Sequence, residues 1–226
     1  MSKGLFITGT GTDIGKTYVT ALVVKKLRDV GCNASYFKAA VSGNERGIRG
    51  LIPGDASFVD RIAQIGGNLG EMVPYVYENA VSPHLASKIE GNPVDLEVVK
   101  HAFEALCKKY EYVTVEGSGG ILCPIRFDEK EIWLEDVIKE LHLTSLIVAD
   151  AGLGTINDAV LTAEYMKQKG LIVKGFIFNH FHPGDVMEED NLKMVEKRTG
   201  VPVIACVKEG DKELAIEADK LISLYE

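Results

Sequence analysis

The chain has 226 residues, of which 46% are hydrophobic and 26% are charged. This length suits one α/β domain over residues 1–226, large enough to bury a core. The formal net charge of −8 disfavours nucleic acid and anionic membrane surfaces as partners. With no apolar run long enough to span a bilayer, no signal-like N-terminus and four scattered cysteines, we expect a cytoplasmic protein.

Short apolar runs alternate with amphipathic stretches along the whole chain. The apolar runs predict buried strands at 4–10, 34–40, 112–117, 144–150, 173–179 and 202–207. The amphipathic stretches predict helices at 16–30, 56–65, 95–109, 132–141, 156–168, 186–198 and 212–224. This alternation predicts an α/β fold of three layers, a mostly parallel sheet with helices on both faces. The longest irregular segment, 41–55, is rich in glycine, and such loops are commonly functional or mobile.

The first predicted strand leads directly into a glycine-rich loop and a helix. Residues 9–17 read GTGTDIGKT and end in Gly15-Lys16-Thr17, the end of a phosphate-binding loop. Backbone N–H groups and the helix N-terminus favour an anion, Lys16 neutralises phosphate charge, and the Thr17 hydroxyl suits Mg²⁺. The pattern predicts a P-loop NTPase-like fold that binds ATP with Mg²⁺. The early glycines stand at positions 9 and 11, whereas the usual motif has one at position 10.

Three further positions have the residue types of a ligand site. Lys38 ends the second predicted strand, at the edge where α/β sheets bind their ligands. Glu116 and Asp150 each end an apolar strand, and either carboxylate suits the acidic Mg²⁺ ligand of a P-loop protein. Thr155 and Asp158 have the spacing of a capping box, at a helix end that favours anions. The pair His180 and His182 lacks a third ligand, so we do not predict a metal site there.

The form G-T-x-T-x-x-G-K-T resembles the phosphate loop of the dethiobiotin synthetase family. Five other segments are similar to that family in the same order: YFKAAVSG (36–43), GDAS (54–57), SPHLA (82–86), VEGSGG (115–120) and GLGTINDAVLTAE (152–164), followed by Asn179. Partitioning and switch ATPases have a second lysine at position 11, which is glycine here. The resemblance covers residues 4 to about 180.

The resemblance implies an enzyme that joins 7,8-diaminopelargonate, CO2 and MgATP. One amine traps CO2 as a carbamate, ATP phosphorylates the carbamate, and the second amine closes a cyclic urea with release of phosphate. The products are dethiobiotin, ADP and phosphate. The resemblance also implies a homodimer whose substrate site lies at the subunit interface.

The resemblance assigns roles to individual residues. It implies that Lys16 and Lys38 are catalytic and that Thr17, Asp55 and Glu116 hold Mg²⁺, with Asp150 left as a structural or supporting carboxylate. The nucleotide-site residues that it implies are Asp13, Ile14, Gly15, Lys16, Thr17, Tyr18, Asp55, Glu116, Gly117, Ser118, Gly119 and Asn179. The implied substrate contacts are Ser42 and Asp13 and, from the partner's helix end, Leu153, Gly154, Thr155, Ile156 and Asn157.

Some features depart from the family pattern or leave alternatives open. Ala39-Ala40 replaces a proline-containing segment, and Asp158 stands where histidine is common. The segment 206–211 lacks a proline-containing piece that packs on adenine, so a looser choice among nucleoside triphosphates is one hypothesis. His84 suits either the substrate pocket or a structural hydrogen bond, and Ser42 either substrate binding or a turn. The rival functions are a switch or partitioning ATPase, an amide-forming or other phosphorylating ligase, and an inactive P-loop scaffold.

Overall fold

The computed structural model describes residues 3–48 and 50–225. The strands are β1 (Lys3–Gly9), β2 (Ala34–Lys38), β3 (Ala40–Val41), β4 (Arg46–Gly47), β5 (Gly50–Leu51), β6 (Tyr75–Val76), β7 (Tyr112–Gly120), β8 (Pro124–Phe127), β9 (Glu131–Trp133), β10 (Ser145–Asp150), β11 (Val173–Asn179) and β12 (Val203–Cys206). The helices are α1 (Lys16–Asp29), α2 (Gly54–Ala63), α3 (Leu69–Met72), α4 (Pro83–Ile89), α5 (Leu96–Cys107), α6 (Leu134–Glu140), α7 (Thr155–Gln168), α8 (Val186–Thr199) and α9 (Ala218–Ile222).

The six predicted strands form one parallel sheet in the order β12-β11-β10-β1-β7-β2. All six strand predictions are therefore confirmed. β1 lies between β7 and β10, so the chain builds outward from β1 in both directions. In open α/β sheets, ligands bind at the carboxyl ends of the strands beside such a change of direction. Here that edge brings together the loop after β1 and the ends of β2 and β7.

Two hydrophobic clusters cover the two faces of the sheet. On one face, Leu5 and Ile7 of β1 pack with α1, α2 and α9. On the other, Phe6 of β1 packs with α5, α6, α7 and α8. Successive side chains of a strand point to opposite faces, so one apolar strand supplies both clusters. The predicted three-layer fold is confirmed.

Several local predictions were wrong or incomplete. The helix predicted over 212–224 is limited to α9, because Leu214 and Ile216, two residues apart, are both buried in the core. That spacing suits an extended chain and not a helix. The segment 41–55 contains the β4–β5 pair and the start of α2. The short helices α3 and α4 and the β8–β9 hairpin were not predicted. Across the described ranges, no helix has the length and apolar character needed to cross a membrane.

Candidate active site

Two glycines shape the loop between β1 and α1. Gly15 has a φ of 81°, and a Cβ built there would lie 2.1 Å from Asn179 Nδ2. A Cβ at Gly9 would lie 2.4 Å from Ile14 Cδ1. At Gly11 a Cβ would meet nothing within 4 Å. Position 15 therefore requires glycine, because its φ is positive, whereas a side chain at position 9 would have to displace the side chains of Ile14 and Lys16.

Lys16 begins α1 and folds back over this loop. Its side chain is buried, and Nζ donates a hydrogen bond to the carbonyl oxygen of Gly11 at 2.6 Å. Burial, followed by the nearby positive charge of Lys38, lowers the pKa of Lys16. Two cations thus face one small region, which is the arrangement that an anionic ligand stabilises.

Lys38, the last residue of β2, lies between the carboxylates of Glu116 in β7 and of Asp55 in the first turn of α2. The register of β2 and β7 places Lys38 beside Glu116. Lys38 Nζ lies 2.7 Å from Glu116 Oε1 and 2.6 Å from Asp55 Oδ2. Burial alone would lower the pKa of Lys38, but the charges of Glu116 and Asp55 outweigh it and raise the pKa above its usual range. Lys38 is therefore a fixed cation at this edge of the sheet.

Glu116 also connects this ion pair to the phosphate loop. Thr17 Oγ1 donates a hydrogen bond to Glu116 Oε1 at 2.8 Å. The second oxygen, Oε2, is buried and makes no well-formed hydrogen bond in the described part of the chain, although the buried Tyr36 hydroxyl, whose pKa is raised by burial and then by Glu116, lies close to this carboxylate. A buried carboxylate oxygen without a partner needs a cation or a donor. The predicted Mg²⁺ ligands Thr17, Asp55 and Glu116 thus have the hard oxygen donors and the open valence that fit this ion.

The protein ligands would be few. Among residues 3–48 and 50–225, no group of three or more His, Cys, Asp and Glu side chains is arranged to hold a metal. Two carboxylates and one hydroxyl leave further positions of an octahedral ion for other oxygens. Phosphate oxygens and water commonly fill these positions on Mg²⁺.

These groups line an open cleft of about 920 Å³. The cleft-lining residues are Thr12, Asp13, Gly15, Lys16, Thr17, Lys38, Val41, Ser42, Gly43, Asp55, Ala80, Val81, Ser82, Pro83, Glu116, Ser118, Gly119 and Cys123. Ten of the predicted site residues therefore meet in one place. The other eight lining residues were not predicted as site residues. Of these, Ala80, Val81 and Cys123 lie outside every motif, because no local pattern marks a small or apolar residue as part of a polar site.

The serines of the cleft bind backbone groups. Ser42 Oγ donates to the carbonyl oxygen of Val81 at 2.6 Å, and Ser118 Oγ donates to that of Ala40 at 2.8 Å. Both bonds tie the segment after β2 to its neighbours across the cleft. Gly117 is packed against Phe6 and does not line the cleft. Gly117 was predicted to contact the nucleotide, but its backbone does not face the cleft.

Other predicted nucleotide-site residues lie beside the loop rather than in the cleft. Asn179, at the end of β11, donates from Nδ2 to the carbonyl oxygen of Ile14 at 3.0 Å. Tyr18 donates its hydroxyl hydrogen to the carbonyl oxygen of Asp211. The segment that follows β12 is thereby held against α1. Ile14, Tyr18 and Asn179 therefore lie on the side of the phosphate loop that faces away from the cleft.

The N-terminus of α7 lies outside the cleft of its own chain. Gly154 is the N-cap residue, with a φ of 96° and no side-chain capping bond, so the predicted Thr155–Asp158 capping box is wrong. The reason is that the helix already begins at Thr155. Thr155 Oγ1 is buried without a partner in the described ranges, whereas Leu153 is 90% exposed. Residues 153–157 are therefore not brought to the site by one chain alone.

The histidines have separate surroundings. His84 lies on α4 next to the cleft residue Pro83, and its Nδ1 is buried with no hydrogen bond to the described residues. His180 Nδ1 lies 2.6 Å from Asp150 Oδ2. His182 Nδ1 lies 2.9 Å from Glu188 Oε1. Since His180 and His182 have different acidic partners, they do not form a shared site.

The sequence of the chain is similar to a family model and to enzymes that use ATP. The family model described as an AAA domain matches residues 3–213. The ATP-dependent dethiobiotin synthetase BioD of Brachyspira hyodysenteriae is 51% identical over 227 residues, which cover the full length of both chains. The enzyme of the same name from Clostridium botulinum strain Loch Maree is 45% identical and is covered over 99% of its length.

Solved structures of lower identity share the fold. The MinC:MinD cell division complex of Aquifex aeolicus matches with a TM-score of 0.58 and 16% identity, covering 93% of this chain and 83% of that chain. A ParA family ATPase from Chlorobium tepidum matches with a TM-score of 0.54 and 14% identity, covering 93% and 85%. These likenesses show the P-loop NTPase fold alone. The sequence identities and the family model together show that the chain belongs to the ATP-dependent dethiobiotin synthetase family of P-loop proteins.

Proposed function

We propose that this protein is a dethiobiotin synthetase, a cyclo-ligase of biotin biosynthesis acting as one domain over residues 1–226 in the cytoplasm. It converts 7,8-diaminopelargonate, CO2 and ATP to dethiobiotin, ADP and phosphate. The observation that carries the proposal is the meeting of Lys16, Thr17, Lys38, Asp55 and Glu116 in one cleft beside the phosphate loop. Full-length identity to enzymes of that name supports it.

The phosphate loop binds the triphosphate of ATP in this proposal. Backbone N–H groups after Gly9 and the N-terminus of α1 receive the phosphates, and Lys16 exchanges its bond to Gly11 for phosphate oxygens. Thr17, Asp55 and Glu116 hold Mg²⁺, which supplies charge neutralisation on the phosphates when bound. Asn179 and Tyr18 lie on the side of the loop toward the nucleoside.

Lys38 serves the reacting groups. One substrate amine adds to CO2 and forms a carbamate, whose oxygen then attacks the γ-phosphorus and displaces ADP. The second amine attacks the carbamate carbon, the carbon–oxygen bond breaks, and phosphate leaves as the cyclic urea closes. Lys38 and Lys16 stabilise the negative charge that spreads over the carbamate and the transferring group. This role requires a cation that stays protonated, and the two carboxylates beside Lys38 provide that condition.

The substrate lies between two subunits. Ser42 and Asp13 contact it from the cleft, and residues 153–157 of a partner's α7 hold its carboxylate at the helix N-terminus. The exposure of Leu153 and the position of this helix end outside the cleft support a homodimer with shared sites. A switch or partitioning ATPase is the alternative, and the likeness to MinD and ParA concerns the fold only.

The test is a mass-spectrometric assay with purified protein, MgATP, 7,8-diaminopelargonate and bicarbonate. We expect a product heavier than the diamine by one carbonyl group less two hydrogens, formed together with ADP. The Lys16→Ala variant is the matched control and should form none, since Lys16 neutralises the phosphates. ATP hydrolysis by the unaltered protein without this product would contradict the proposed substrate while leaving the phosphate loop functional.

A further inference from the structure

Three side chains form a hydrogen-bonded row beside the phosphate loop. Asp150 Oδ2 lies 2.6 Å from His180 Nδ1, and His180 Nε2 lies 3.1 Å from Asn179 Nδ2. The same Nδ2 lies 3.0 Å from the carbonyl oxygen of Ile14 in the loop. The register of β10 and β11, which pairs Asp150 with Asn179, brings the three side chains together.

The direction of each hydrogen bond follows from its partners. The Ile14 carbonyl can only accept, so the amide nitrogen of Asn179 donates to it and uses its other hydrogen on His180 Nε2. Because Nε2 accepts, the imidazole proton is on Nδ1 and is donated to Asp150. The second oxygen of Asp150 accepts from the backbone N–H of Gly152 at 2.8 Å, which fixes the carboxylate as well.

This row fixes the orientation of the Asn179 side chain. Turning the amide over would place its oxygen against the carbonyl oxygen of Ile14, two acceptors without a hydrogen between them. With both N–H groups occupied, the amide oxygen Oδ1 is left, and it receives no hydrogen bond from residues 3–48 or 50–225. Asn179 is only 2% exposed, yet Oδ1 is not one of the fully buried atoms without a partner in the described ranges, so this acceptor remains within reach of a ligand. It therefore favours a ligand that presents a donor.

We propose that Asp150 and His180 are positioning residues that select the nucleobase. By holding Asn179 Oδ1 as an acceptor, they favour a base with an exocyclic amine, such as adenine, over one with a keto oxygen at the same position. The inference rests on the proposed place of Asn179 in the nucleotide site. The proposal predicts that the protein prefers adenine nucleotides. The divergent segment 206–211 alone suggested a looser choice among nucleoside triphosphates.

The carboxylate of Asp150 is needed because it determines which imidazole nitrogen has the proton. An asparagine at position 150 has one acceptor oxygen and cannot serve both Gly152 and His180. When the amide nitrogen of Asn at position 150 faces His180, Nδ1 must accept, so the imidazole proton is on Nε2 instead. The N–H of His180 Nε2 then points at Asn179 Nδ2, which is also a donor. Each orientation of the Asn179 amide then has one favourable and one unfavourable contact, with Ile14 and with His180. Neither orientation is preferred, so a base with a keto oxygen is no longer disfavoured.

The test compares equilibrium binding of ADP and IDP, by competition against a fluorescent nucleotide in the presence of Mg²⁺. Hypoxanthine has a keto oxygen where adenine has the amine. We expect the unaltered protein to prefer ADP by roughly 10-fold or more, since a buried acceptor would otherwise face an acceptor. Asp150→Asn should bring this ratio toward one, whereas His180→Asn keeps the Ile14 contact of the Asn179 amide and should lower the ratio only in part. Asparagine suits position 180, whose φ is 55°.

His182→Ala is the matched control, because it removes an imidazole two residues away that pairs with Glu188 instead. It should leave the ADP to IDP ratio unchanged. An unchanged ratio in both Asp150→Asn and His180→Asn would overturn the proposal. Equal weakening of ADP and IDP would also overturn it, since that result indicates support of the loop alone. The readout is binding, so it does not depend on whether dethiobiotin is formed.

Discussion

Lys38 determines the electrostatic state of the residues at the sheet edge. The side chain of Glu116 is fully buried, whereas that of Asp55 is 32% exposed, so Glu116 depends far more on this lysine for compensation. A buried carboxylate that loses its cation is strongly destabilising. Lys38 therefore has two roles that one substitution would remove together, stabilisation of the fold and stabilisation of the reacting groups.

Lys38→Ala should retain nucleotide binding, lose at least roughly 100-fold in turnover, and lower the free energy of unfolding by about 3 kcal/mol. Adding Glu116→Gln should restore most of the stability, because the uncompensated charge is gone, but no turnover. Urea unfolding and the dethiobiotin assay measure the two effects separately. Full turnover in Lys38→Ala would refute the catalytic role.

The two ends of the phosphate loop differ in their tolerance of a side chain. Gly15→Ala should weaken ATP binding roughly 10-fold or more, because alanine at a φ of 81° is strained and its Cβ would displace Asn179. Gly11→Ala is the control, since a Cβ there meets nothing within 4 Å and should change affinity by less than about two-fold. Isothermal titration with ATP measures both. Equal affinity of the two variants would contradict this account of the loop.

At the scale of elements, the strands and helices whose formation depends on nearby residues were predictable from local sequence patterns. The six sheet strands and α1 have unbroken apolar runs or one apolar face, and the structure has them as predicted. Lys38 and its register partner Glu116 were predictable as site residues because both come late in predicted parallel strands, whose carboxyl ends lie at one edge. The sequence also indicated the glycine-rich loop, but not which of its glycines are sterically required.

Elements that depend on distant partners were not predictable. Ala80 to Pro83 reach the cleft because β6 pairs with β3, and no local pattern predicts that two-residue pairing. The segment after β12 extends instead of forming a helix because Leu214 and Ile216 both enter the core. The pairing of His180 with Asp150 follows from the register of β10 and β11, which apolar periodicity leaves undetermined.

At the scale of the whole molecule, the position of α7 has a consequence for assembly. If its N-terminus completes a partner's site, two differently defective subunits can form one working site between them. Asn157→Asp adds a negative charge that suits the first turn of a helix but repels a substrate carboxylate. It should raise the KM for 7,8-diaminopelargonate roughly 10-fold. The substitution also replaces the hydrogen bond from Asn157 Nδ2 to Asp158 Oδ1 with two neighbouring carboxylates, and because both side chains are exposed, this should cost little stability.

Co-expression of Lys38→Ala with Asn157→Asp should then restore activity at low substrate concentration. One of the two sites in a mixed dimer combines an intact Lys38 with an intact α7, so random pairing gives about one quarter of the unaltered activity. Each variant alone provides the baseline. Activity that stays at the sum of these baselines would show that α7 does not act across subunits.

The central position of β1 also bears on how the chain folds. Leu5, Phe6 and Ile7 are buried in the finished sheet, yet the strands on either side of β1 begin only at Tyr112 and Ser145. During synthesis this apolar strand emerges more than 100 residues before β7 and β10, the two strands that pair with it. Such long-range pairing slows folding and leaves an aggregation-prone edge exposed. The strand that supports the phosphate loop is therefore the one most dependent on protection, by chaperones or by slow dilution, before the sheet closes around it.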